Sequence, residues 1–207
     1  SAEKRKIMRN EKPILKEIGS WIVVIVVALV LSLFIDSTII AKAEVEQSSM
    51  ENTLFEGQQL IVNKLSYTFD EPKRGDIIIF LENEEKGNII DNFIRSVKNR
   101  FSSSDEIAAE QERLVKRVIG VAGDEIDIQD GYVYINGERL EESYVNGITL
   151  PGNLKLPITV GEGELFVIGD NREVSRDSRD FGPIDVKQVE GKAVFRVYPF
   201  NQIGKVE

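Results

Sequence analysis

The sequence predicts a mainly β fold, one N-terminal transmembrane helix followed by an antiparallel β-sheet domain. Three observations predict it. Residues 18–35 contain no charged side chain and are rich in Val, Ile and Leu. At 1.5 Å rise per residue they reach roughly 27 Å, about the hydrocarbon thickness of a bilayer. From Ile39 onward the pattern changes to short alternating or β-branched runs separated by turn residues. Two of those turns, Asp130-Gly131 and Asn136-Gly137, have the composition that closes two-residue hairpins.

The helix is justified by its flanks as well as its length. Residues 1–17 carry Lys4, Arg5, Lys6, Arg9, Lys12 and Lys16 against Glu3, Glu11 and Glu17, a net +3, so the rest of the chain carries −12 of the total −9. A basic flank ahead of the apolar run places residues 1–17 in the cytoplasm, a span at 18–36, and residues 37–207 on the extracytoplasmic side. Trp21 falls where an aromatic belt would lie. A cleaved signal peptide would have a shorter apolar core. Cleavage near Ala41-Lys42-Ala43 would also detach everything downstream from the membrane. A buried core helix that is apolar all round needs more surrounding protein than this chain supplies. A retained anchor in the cell membrane is therefore expected, with the lipid bilayer as a partner.

In the body, strands are expected at 41–47, 59–65, 76–81, 113–121, 124–129, 132–135, 138–140, 164–169 and 192–198. The two Gly-closed turns make the middle of this series a meander. The whole reads as a sandwich or a partly closed barrel. One segment breaks the pattern. Over about 84–112, Ile89, Ile90, Phe93, Ile94, Val97 and Phe101 recur at helical spacing, which predicts a helical insertion. It would either rest on lipid or pack on the sheet.

Composition narrows the chemistry. The chain has no histidine and no cysteine. Ser-His-Asp and Cys-His triads, disulfides and ordinary zinc or iron–sulfur sites are excluded, and no cofactor is expected. An acidic body argues against nucleic-acid binding. A serine nucleophile in such a chain needs a carboxylate, a lysine or a terminal amine as its base. Lys116 stands in an alternating run, Leu114-Val115-Lys116-Arg117-Val118-Ile119. As a strand this places Leu114, Lys116 and Val118 on one face and Val115, Arg117 and Ile119 on the other. A lysine among apolar neighbours is desolvated, which lowers a pKa that is ordinarily about 10.4. Ser49, in Ser48-Ser49-Met50, is the candidate nucleophile. In isolation the pair reads as a loop serine and a lysine that reaches solvent.

Four stretches change that reading. Ser49-Met50-Glu51-Asn52-Thr53-Leu54 comes first, then Lys73-Arg74-Gly75-Asp76-Ile77-Ile78-Ile79-Phe80. Val115-Lys116-Arg117-Val118-Ile119-Gly120-Val121-Ala122-Gly123-Asp124 follows. Gly169-Asp170-Asn171-Arg172-Glu173-Val174-Ser175-Arg176-Asp177-Ser178-Arg179-Asp180-Phe181-Gly182 comes last. Behind an N-terminal anchor, and in this order, they resemble the sequence boxes of the bacterial type I signal peptidases, the leader peptidases of the S26 family with a Ser/Lys dyad. The resemblance covers nearly the whole chain. It implies a membrane-bound serine endopeptidase that removes signal peptides from secretory preproteins, with no metal. It implies Ser49 as nucleophile, Lys116 as general base and Ser175 as the hydroxyl that orients the lysine amine. Asp177 and Arg179 match a supporting ion pair and Asp170 a structural acid. Arg117 follows the motif as a packing or charge-pairing residue, and Met50 is either a substrate contact or ordinary packing.

Two positions depart from the pattern. Asn52 stands where the nucleophile box ordinarily has proline, so the turn is either less rigid or held by a side-chain bond. Gln47 stands where Gly or Ser is usual, and its amide can supply an oxyanion donor beside the Ser49 N–H. Two rivals have different signatures. A self-cleaving repressor with a Ser/Lys dyad would be soluble and carry a DNA-binding region. A catalytically idle membrane-anchored assembly factor of a pilus or secretion system would have lost Ser or Lys, and both are present.

Overall fold

The structure is a computed structural model of the chain and describes residues 2–82, 94 and 113–206. Helix α1 (Ala2–Thr38) runs through the apolar segment. Its stretch Lys16–Ile35 is long and apolar enough to cross a membrane. Nearly all the apolar side chains there, Trp21 among them, are exposed, Leu33 being half-buried. No protein packs around this stretch among the described residues.

The body follows as β1 (Ile40–Glu44), a single 3-10 turn at Ser48–Met50, β2 (Gln59–Asn63), α2 (Ser66–Phe69), β3 (Ile77–Leu81) and β4 (Arg113–Val121). Then come β5 (Glu125–Gln129), β6 (Tyr132–Ile135), β7 (Glu138–Arg139), β8 (Ile158–Thr159) and β9 (Glu164–Ile168). The chain closes with α3 (Ser178–Phe181), β10 (Ile184–Asp185), β11 (Val189–Tyr198) and β12 (Gly204–Lys205). Each strand expected from alternation is present. The strands β8, β10 and β12 are additions of two residues each, too short to show a period. The expected helix over 84–112 lies, apart from Ile94, outside the described residues.

The strands form two antiparallel sheets. The larger runs β1-β2-β11-β3-β4-β9-β10, with β12 added to β11. The smaller runs β7-β6-β5-β8. The order of the larger sheet ends at β1 and β10 without closing on itself, so no fully closed barrel forms among the described residues. The meander β5-β6-β7 turns at Asp130-Gly131 and Asn136-Gly137, where all four residues have positive φ. That is the geometry of a type I′ hairpin, and it is why Asp, Asn and Gly stand there.

Three apolar clusters hold the layers together. The first joins Ile78 and Phe80 of β3, Leu114 and Val118 of β4, and Leu165 and Val167 of β9. The second fills the space between the sheets, with Ile119, Phe166 and Ile168 meeting Ile126, Ile128, Val133 and Ile135. The third gathers Met50, Leu54, Leu60, Ile77 and Ala193, with Val115 against it. Thus Leu114 and Val118 share one cluster while Val115 and Ile119 go elsewhere, as the alternation along β4 requires.

Among the unpaired strand edges of the described residues, two belong to β1 and β4. Strand β1 is terminal in its sheet. β4 pairs with β9 only from Arg117 onward, so among the described residues 113–116 bond to β3 alone.

Candidate active site

Ser49 lies in the 3-10 turn between β1 and β2. Three kinds of anchor fix it. Met50 and Leu54, both fully buried, drop into the third cluster on either side of the turn. The Glu51 N–H donates to the Ser48 carbonyl at 3.0 Å and the Thr53 N–H to the Met50 carbonyl at 3.1 Å. Asn171 reaches in from the other side. Its backbone N–H donates to the Ser49 carbonyl at 3.1 Å, and its side-chain Nδ2 to the Ser48 carbonyl at 3.1 Å.

Lys116 stands in mid-β4 opposite Ile78 of β3. It is 1% exposed, and its Nζ lies 2.6 Å from Ser49 Oγ. Burial is the main reason its pKa is held down to about 8. The negative Asp177 works against that lowering, while Arg179 and Arg176 add to it. An amine in this state can accept a proton from a hydroxyl within hydrogen-bond reach at ordinary pH.

The loop after β9 supplies the remaining groups. Asp177 caps α3 and accepts from the Arg179 backbone N–H. It also binds the Arg179 guanidinium through both oxygens, at 2.8 and 2.9 Å, and accepts from the Gly169 N–H at 3.0 Å. Arg179 in turn donates to the carbonyls of Arg172 and Ser175. The buried pair therefore ties the two ends of the loop together. Ser175 is buried near Ser49, and its Oγ has no hydrogen-bond partner among the described residues. A side-chain carbon at Gly169 would fall 2.2 Å from Ser175 Oγ and 2.4 Å from the Ser49 carbonyl oxygen. Only glycine lets this loop lie against the Ser49 turn.

Asp170 is fully buried and takes a two-point bond from Arg117, at 2.9 and 2.7 Å. It also accepts from Thr53 Oγ1 at 2.5 Å, joining β4, the loop and the Ser49 turn. Gln47 is exposed and lines the same cleft as Ser49. That cleft, about 520 Å³, is walled by Ala43 and Val45 on one side and by Ile79 and Val115 on the other.

Several residues that hold the site were given no role from the sequence. Thr53, Asn171 and Arg172 were within the quoted boxes. Glu142 and Tyr144 lie in a segment with no pattern. Arg172 is buried and paired with Glu142, and Tyr144 lies under the Arg117 guanidinium at 3.9 Å. Polar residues inside a box bounded by glycines were the available signal for Asn171 and Arg172. Nothing in the sequence marked Glu142 or Tyr144.

A buried hydroxyl and amine, on an antiparallel β domain behind one long apolar helix, have the make-up of a serine–lysine hydrolase. The chain belongs to the signal peptidase family, peptidase S26, whose model matches residues 18–198. It is 36% identical to the signal peptidase I of Bacillus licheniformis over 197 residues, covering 90% of this chain and 92% of that protein. It is 32% identical to signal peptidase IB of Staphylococcus aureus (strain COL) over 203 residues, 90% and 93% of the two chains. A crystal structure of a signal peptidase I from Enterococcus faecalis V583 aligns at 29% identity with a TM-score of 0.41, over 59% of this chain and 97% of that one.

Proposed function

We propose that the chain is a membrane-anchored serine endopeptidase that removes N-terminal signal peptides from exported preproteins. The observation that carries the mechanism is the 2.6 Å approach of Lys116 Nζ to Ser49 Oγ inside the protein. The neutral Lys116 amine takes the Ser49 proton as Oγ attacks the scissile carbonyl. The resulting lysine ammonium gives that proton to the leaving amine of the mature protein as the C–N bond breaks. Water, deprotonated by Lys116, then attacks the acyl-enzyme; the Oγ–acyl bond breaks, the Lys116 ammonium returns the proton to Ser49 Oγ, and the signal peptide leaves with a free carboxylate. Ser175, whose buried Oγ has no hydrogen-bond partner among the described residues, is the hydroxyl that orients the amine without adding charge. The Asp177–Arg179 pair holds the loop that carries Ser175. Gln47 supplies an amide to the developing oxyanion beside the Ser49 N–H.

The substrate lies extended between the unpaired edge of β1 and residues 113–116 of β4. Main-chain bonds give it affinity there, and shallow pockets read its alternate side chains. The helix α1 holds this cleft at the membrane, with residues 1–17 cytoplasmic and the β domain outside. The test is cleavage of a model preprotein in detergent. The parent is expected to cut, and Ser49→Ala and Lys116→Met to be inactive, while Gln47→Ala loses roughly 10-fold or more in turnover. Retained cleavage by Lys116→Met would remove the lysine as base.

A further inference from the structure

The residues just after the nucleophile form a turn of a definite kind. Glu51 has φ −58° and ψ 143°, Asn52 has φ 95°, and the Thr53 N–H donates to the Met50 carbonyl. This is a type II turn with Asn52 at its third position. That position demands positive φ, which Gly and Asn tolerate and other residues resist. Proline, locked near −65°, cannot adopt it. The replacement of the usual proline by Asn52 is therefore a change of turn, not a loosening of the same one.

The side chain of Asn52 adds a second constraint. Its Nδ2 donates to the Tyr144 carbonyl at 2.9 Å. The Tyr144 ring lies under the Arg117 guanidinium. Arg117 grips Asp170, and Asp170 accepts from Thr53. The path leaves the nucleophile turn at Asn52 and returns at its neighbour Thr53.

We propose that Asn52 is a positioning residue for Ser49, setting the turn that aims Oγ at Lys116 and fastening that turn to the chain at Tyr144. The proposal rests on the reading of Ser49 as nucleophile. It acts through placement, so its loss falls on kcat. The cleft walls at Ala43, Ile79 and Val115 are untouched, so KM stays near the parent value.

The test compares Asn52→Gly, Asn52→Ala and Asn52→Pro in the full chain in detergent. Three readouts are taken: kcat and KM on a model preprotein, the rate at which a fluorophosphonate probe labels Ser49, and the melting temperature. Glycine keeps the positive φ and loses only an exposed amide bond, so about a threefold loss in kcat is expected. Alanine resists the turn, and about a tenfold loss is expected in both kcat and labelling. Proline forbids it, and a loss of about 100-fold is expected, the cost of misplacing a reacting atom by about 1 Å. Parent-level kcat and labelling in Asn52→Pro overturn the proposal. So do losses that fall on KM, or that only track a lower melting temperature. A parent that labels but does not cleave leaves the labelling rates to decide this inference while the proposed function fails. A parent that neither cleaves nor labels sinks both.

Discussion

At the scale of the residue, Lys116 carries a conflict between folding and chemistry. Its folded pKa of about 8 lies below its ordinary value of 10.5. Below pH 8 both the folded and unfolded lysines are charged, and burial then costs the fold about 3 kcal/mol. The penalty is relieved as pH rises from 8 towards 10.5, where only the unfolded form stays protonated. Activity has the same sign. The neutral fraction rises about tenfold per pH unit below 8 and levels off above it, so kcat/KM is expected to do likewise. A pH profile checks this, and a limb centred near pH 6 would rule out the lysine. The inactive Lys116→Met is expected to melt higher than the parent at pH 7, because it buries no charge. The pair itself was singled out by resemblance: the absence of histidine restricted the base and alternation along 114–119 placed the lysine among apolar neighbours, but in isolation the two read as a loop serine and a lysine that reaches solvent. The hydroxyl of Ser175 was legible only by resemblance, and the Tyr144 contact with Arg117 was not legible at all. That contact joins residues far apart in sequence across an irregular segment, where no period exists to read.

At the scale of the element, the loop after β9 decides whether the site is assembled. Its stability rests on Asp177, which holds Arg179, the Gly169 N–H and the start of α3 together. Asp177→Ala strands a buried guanidinium, and a loss of about 3–5 kcal/mol is expected in thermal or urea unfolding. Asp177→Asn keeps the shape but removes the charge that raises the Lys116 pKa. Its activity limb is expected to move to lower pH, and an unmoved limb would show that the loop is electrically silent. Long strands were readable because alternation persists over four residues or more, as in β4 and β11. The two-residue strands β8, β10 and β12 and the single-turn helices α2 and α3 are made by tertiary pairing and caps, which leave no period behind.

At the scale of the whole molecule, the proposed function assigns the long apolar helix to the membrane and the β domain to the chemistry. The proposed orientation makes a simple prediction. Protease added outside intact cells is expected to digest the β domain and spare residues 1–17, and protection of the β domain would invert the topology. The helix and the antiparallel β body were legible from hydropathy and turn residues, while the choice between a sandwich and a partly closed barrel was not. The packing of the smaller sheet on β4 and β9 was not, since it depends on the shapes of Ile119, Phe166 and Ile168 meeting Ile126 and Val133. The unpaired rim of β1 has one more consequence. Backbone groups left open to a passing peptide are equally open to another copy of the same chain, and copies confined to a bilayer collide in two dimensions. Lys42 and Glu44 stand exposed along that rim, where charged side chains oppose strand-to-strand stacking. On the proposed function, they leave the rim able to receive a transient guest while opposing permanent aggregation between neighbours.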